Sequence, residues 1–147
     1  LESSTTSGST ADSDDRLRGL RVLVAEDNGV NMKIVKRFLE SFGCVSTPVV
    51  NGKQALAMLE SQEFDVVLMD VQMPEMDGIE AVELLRSSKA RNWDVPVIAL
   101  TANAMVGDRE RCLAAGMSDY LSKPLRVDEL RDALVKWSSA ASMDQAA

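Results

Sequence analysis

The chain has 147 residues, enough for one domain of ordinary size, and its 46% hydrophobic and 27% charged residues are those of a water-soluble globular protein. No apolar run approaches the ~20 residues that a bilayer span needs, so a cytoplasmic protein with no direct membrane contact is expected. A formal net charge of −7, with Lys and Arg scattered rather than gathered into a stripe, argues against direct nucleic-acid binding, and the lack of any histidine excludes Ser-His-Asp and Cys-His catalysis, His-ligated metals and a self-made phosphohistidine.

Seven of the first ten residues are Ser or Thr, and ADSDD follows, too polar a stretch to bury its own surface. Residues 1–17 therefore read as a disordered linker, 18–140 as the folded domain and 141–147 as a flexible tail. Leu rather than Met at position 1 points to a segment cut from a longer chain or to sequence added for expression. Cys44 and Cys112 lack CxxC spacing and a signal peptide, and read as reduced apolar fillers.

From Arg18 onward the pattern alternates. RVLVA reads as a strand, and the helix after it carries Ile34, Val35, Phe38, Leu39 and Phe42 on one stripe, Lys33, Lys36, Arg37 and Glu40 on the other, and Gly43 as a stop. At about 100° per residue, Asn31 falls with the apolar stripe and is expected to point inward, bracing the preceding acidic loop. Val30 falls on the flank, three residues after Asp27, where it either docks a partner or packs under its own loop. VSTPVV is the second strand, and Asn51-Gly52 opens the second helix. FDVVLMD is the third strand, and Asp77-Gly78 opens the third helix. VPVIALT and DYLS are the fourth and fifth strands, each followed by a helix, the last repeating the apolar spacing with Val127, Leu130, Leu134 and Trp137. Short aliphatic strands alternating with helices imply a parallel, doubly wound α/β sheet buried on both faces. Met69, Met73, Met76 and Met105, near the strand ends, read as packing for mobile loops rather than as a cofactor site.

In such a sheet, ligands bind at the carboxyl ends of the strands. There the sequence places Glu26 and Asp27 after strand one, Asp70 at the end of strand three, Thr101 at the end of strand four, and Lys123-Pro124 after strand five. Any one of these is more often a turn or cap residue, but together they form an acidic pocket with one ammonium. Crowded carboxylates call for a cation, and oxygen ligands without His or Cys favour Mg²⁺. Asp70 would then be free to attack phosphorus, with Lys123 and Thr101 holding phosphoryl oxygens and no general base needed.

The strings LVAEDN, MDVQMPEMDG, IALTANAM and YLSKPL, in this order over residues 18–140, resemble the signature segments of two-component response-regulator receiver domains, and their wording is most similar to the receivers of hybrid histidine kinases. The resemblance implies a flavodoxin-like (βα)5 fold with strand order 2-1-3-4-5. It also implies a phosphorelay function in which a phosphohistidine, on a kinase dimerisation domain or a histidine-phosphotransfer protein, donates to Asp70. By the same resemblance Asp27 is a direct Mg²⁺ ligand, Glu26 a ligand through water and the Gln72 carbonyl a further ligand, with Mn²⁺ able to substitute. Tyr120 matches an aromatic switch coupled to Thr101, Pro124 a proline that follows a cis bond, and Gln72 and Asn103 positions that flank the path of attacking water. The protein would be a phosphoryl acceptor that assists its own phosphorylation and dephosphorylation.

The nearest enzyme reading, a haloacid-dehalogenase-like phosphatase, needs a second Asp two residues after the nucleophile. Gln72 stands there and cannot transfer a proton. A flavodoxin-like phosphate binder should carry a Gly- or hydroxyl-rich first loop, and EDNGVN is acidic. A receiver reduced to an interaction module would have lost a signature position, and none is lost.

Overall fold

The aliphatic runs form five strands, β1 (Arg21–Ala25), β2 (Val45–Val49), β3 (Val66–Asp70), β4 (Val97–Thr101) and β5 (Asp119–Ser122), in a computed structural model that describes residues 17–88, 93–102 and 106–146. Between and after them run α1 (Gly29–Phe42), α2 (Gly52–Ser61), α3 (Gly78–Ser87), α4 (Val106–Ala115) and α5 (Val127–Ala146). All four strand pairs are parallel, as the sequence pattern predicts, and the sheet order is β2-β1-β3-β4-β5, as the resemblance implies.

Alternation along each strand splits the core into two layers. Val22, Val24, Val66, Leu68, Ile98 and Leu100 face α1 and α5, packing on Val35, Leu39, Phe42, Leu130 and Leu134. Leu23, Ala25, Val67, Met69, Val97 and Ala99 face the opposite way, onto Ala55, Leu59, Ala81, Val82, Leu85 and Cys112 of α2, α3 and α4. β3 and β4 are buried at every position, the expected character of central strands, whereas β2 is buried only at Val49 because it is an edge and one of its flanks meets solvent.

The helix starts follow from local chemistry. Asn28 caps α1, its side-chain oxygen accepting from the Val30 and Asn31 amides at 2.9 and 3.0 Å. Asn51 caps α2 by accepting from Gln54 N, and Asp77 caps α3 by accepting from Glu80 N, each at 2.8 Å. Gly43 ends α1 in the left-handed region at φ 84°, as its position predicts.

Four expectations are corrected. Ile34 is 41% exposed, since it lies one residue round from the i, i+4, i+7 seam of Val35, Leu39 and Phe42. Val127 is 44% exposed at the first position of α5, before that helix reaches the sheet. Leu17, grouped with the linker on composition, is fully buried against the α1 and α5 layer. The last helix continues to Ala146, beyond residue 140. Both cysteines are buried and free, and burial pushes the Cys44 thiol up to about 11.

Candidate functional site

β1 sends its chain to α1 on one face, and β3 sends its chain to α3 on the other, so a crevice opens between the carboxyl ends of these adjacent strands. Glu26, Asp27 and Asp70 meet there, with carboxylate oxygens all within 4.8 Å of one another. Glu26 and Asp70 are buried, at 1% and 5% exposure, while Asp27 is exposed at the mouth. Lys123 reaches across from the end of β5, its Nζ 2.8 Å from Glu26 Oε1 and 3.1 Å from Asp70 Oδ2.

The loops that carry these groups are tied down. Asn28 N donates to Glu26 Oε2 at 3.1 Å, Gln72 N donates to Asp70 Oδ1 at 3.2 Å, and Lys123 N donates to the Thr101 carbonyl at 2.8 Å. The β3–α3 loop is fastened by bonds from Gly78 N to the Val71 carbonyl and from Gly52 N to the Met76 carbonyl, both 3.0 Å. A Cβ on Gly78 would run into the Asp70 carbonyl oxygen, and one on Gly52 would lie 2.7 Å from the Met76 carbonyl oxygen. Both glycines are therefore needed for close approach.

Burial, followed by the neighbouring Glu26 carboxylate, raises Asp70 from 3.8 to about 6 despite the opposing pull of Lys123. Burial opposes the charge on Lys123, but its bonds to Glu26 and Asp70 prevail and leave its pKa above the ordinary value. A cavity of about 190 Å³ opens above Asp70, lined also by Thr101, Lys123, Gln72, Asp77 and Arg111. It can admit a small anionic group and bring it against a carboxylate oxygen beside an ammonium.

The structure thus brings together Glu26, Asp27, Asp70, Gln72, Thr101 and Lys123. The Lys123–Pro124 bond is cis. Tyr120 is half-buried on β5 beside the α2–α4 layer, with the Arg109 guanidinium 5.4 Å from its ring centre. Asn103 and Met105 lie outside the described residues. Asn31 is half-buried, but no hydrogen bond from its side chain occurs among the described residues, and Asn28 braces the acidic loop instead. The cue was legible, since an Asn directly before a helix is a preferred cap. Val30 is 67% exposed, so packing beneath its own loop is not its role. Asp77 and Arg111 were not foreseen in the cavity wall; Asp77 reads first as a turn, and the side of α4 that meets the site depends on packing.

A family model described as the response regulator receiver domain matches residues 22–135. The chain belongs to that family. The receiver is 38% identical over 130 residues to the sensor histidine kinase GacS of Pseudomonas protegens, a match that covers 87% of this chain and 14% of GacS, so the chain spans a small part of that relative. Among solved structures it is similar to the receiver domain of sensor histidine kinase PA1611 from Pseudomonas aeruginosa, with magnesium coordinated in the active-site cleft. The TM-score is 0.77 and the identity 44%, covering 82% of this chain and 98% of that one. It is also similar to a receiver in the Saccharomyces cerevisiae complex of the histidine phosphotransfer protein Ypd1 with the response regulator Ssk1, at TM-score 0.75 and 28% identity, covering 83% and 90%. Membership of the family makes the chain a receiver module of a two-component phosphorelay, and a haloacid-dehalogenase-like phosphatase is not favoured.

Proposed function

We propose that this receiver takes a phosphoryl group from a phosphohistidine onto Asp70 and signals through Thr101 and Tyr120. The observation that carries the reading is Asp70 itself, a buried carboxylate with Oδ2 3.1 Å from Lys123 Nζ beneath a cavity open to an anionic donor. A carboxylate oxygen of Asp70 forms the new bond to phosphorus while the phosphorus–nitrogen bond breaks, and its electron pair stays with the donor imidazole. The nucleophile is already ionised and the leaving nitrogen is a good one, so positioning and charge neutralisation suffice. Lys123 and Thr101 flank the phosphoryl oxygens, and Gln72 borders the path of the water that later hydrolyses the acyl phosphate.

Three carboxylates with one ammonium among them form a hard oxygen set that fits Mg²⁺. Asp27, Asp70 and the Gln72 carbonyl would hold the ion directly and Glu26 through water, with Mn²⁺ as a substitute. The ion supplies charge neutralisation for the phosphoryl oxygens. PA1611 lends support, as a receiver with magnesium coordinated in its active-site cleft.

The switch reading has Tyr120 turn inward when the Thr101 hydroxyl moves to the phosphoryl group. The donor is a kinase dimerisation domain or a histidine-phosphotransfer protein, and the parent a hybrid kinase, readings supported by the likeness to GacS and to the Ypd1-bound receiver. No helix among the described residues is long and apolar enough to cross a membrane. With a phosphorylated histidine-phosphotransfer protein as donor, the unmodified chain should become labelled, and Asp70→Asn or removal of Mg²⁺ by chelation should abolish the labelling. Full labelling of Asp70→Asn would overturn the assignment.

A further inference from the structure

The cavity above Asp70 has a second cationic wall. Lys123 comes from the β5 side and is already engaged with Glu26 and Asp70 at 2.8 and 3.1 Å. Arg111 comes from α4, an exposed residue that lines the same cavity. The acids around the cavity are Glu26, Asp27, Asp70 and Asp77, the last with one oxygen accepting from Glu80 N at 2.8 Å. Among side chains these four negative charges face two positive ones, and a bound Mg²⁺ would bring the two into balance before the phosphoryl group arrives. Replacing the Asp70 carboxylate by a dianionic acyl phosphate adds a further negative charge, and it does so where Lys123 is already shared between two carboxylates.

We infer that Arg111 is a binding and specificity-determining residue of this site, supplying the cavity with positive charge that draws in dianionic phosphoryl donors and holds the outer phosphoryl oxygens. The inference rests on Asp70 as acceptor and deepens that reading. Its ligand class is the small acyl phosphate or the exposed phosphoryl group of a protein donor. A guanidinium suits the task because it stays charged at any working pH. With acetyl phosphate, an Asp70 oxygen forms the bond to phosphorus as the bond between phosphorus and the acetyl oxygen breaks. Acetate leaves with the electron pair, and no proton is transferred.

The test follows labelling by mass spectrometry at low ionic strength with Mg²⁺, using dianionic acetyl phosphate and monoanionic phosphoramidate as donors. Arg111→Gln should label about fivefold more slowly with acetyl phosphate, the scale of one partly solvated charge, and lose less with phosphoramidate. Arg111→Lys should stay near the unmodified rate. Arg37→Gln, which removes the same charge from the exposed face of α1, should leave both rates unchanged. Added salt should shrink the Arg111→Gln defect. An unchanged rate in Arg111→Gln, an equal loss in Arg111→Lys, or an equal loss with both donors would overturn the inference. Asp70→Asn run in parallel separates the two levels. A labelled Asp70→Asn, or an unlabelled unmodified chain, overturns the acceptor assignment and the inference with it, whereas correct labelling with an indifferent Arg111→Gln overturns the inference alone.

Discussion

Asp70 is held in a state that costs the fold stability near neutral pH. With its pKa raised from 3.8 to about 6 by burial and by Glu26, the folded protein keeps a proton that the unfolded chain releases between those values. Stability therefore falls as pH rises through that window, is not penalised below it, and stays reduced above it. In chelator, Asp70→Asn should be more stable than the unmodified protein at pH 7, by on the order of 1–3 kcal/mol, and the gain should vanish near pH 4. Lys123 also pairs with Glu26, 2.8 Å away in the unmodified protein, so the substitution does not strand it. Chemical denaturation across this pH range checks the expectation, and a gain that persists undiminished at pH 4 would contradict it. Gly78 is the residue that lets α3 start directly behind Asp70. Gly78→Ala would drive a methyl into the Asp70 carbonyl oxygen, so a loss of about 1–3 kcal/mol is expected together with slower labelling. Thermal unfolding and the labelling rate measure the two effects.

Among the elements, α1 shows most clearly what the sequence reveals and what it hides. Its start, its stop and the seam of Val35, Leu39 and Phe42 were legible, because capping and the 3.6-residue period are local. Asn31 was assigned the brace that Asn28 provides, since periodicity gives a direction but not a hydrogen-bond partner. Ile34 was placed in the core, although it borders a small cleft with Asn31, Lys123, Pro124 and Leu125 next to the acidic site. Val30 and Ile34 are both exposed there, at 67% and 41%. On the proposed function, a helix bundle presenting the donor histidine rests on this apolar edge. Val30→Asp should slow labelling by a protein donor while leaving labelling by acetyl phosphate unchanged. Equal losses with both donors would mean damage to the pocket, and no loss with either would remove Val30 from the interface.

At the scale of the molecule, the fold was legible because buried parallel strands and amphipathic helices differ in period and composition. The two-layer core follows from the alternation of Val22, Leu23, Val24 and Ala25 between the faces. The strand ends then gathered Glu26, Asp27, Asp70, Thr101 and Lys123 as the topology requires. Arg111 and Asp77 were not legible in this role, because which side of α4 and which cap face the cavity depends on how α3 and α4 pack against each other. The whole account turns on one covalent bond. After transfer from a phosphorylated histidine protein in Mg²⁺, borohydride reduction of the labelled chain followed by peptide mass spectrometry should convert Asp70, and no other acidic residue, to homoserine. Reduction at another carboxylate, or an acid-stable phosphate on Ser or Thr with Asp70 untouched, would contradict the account.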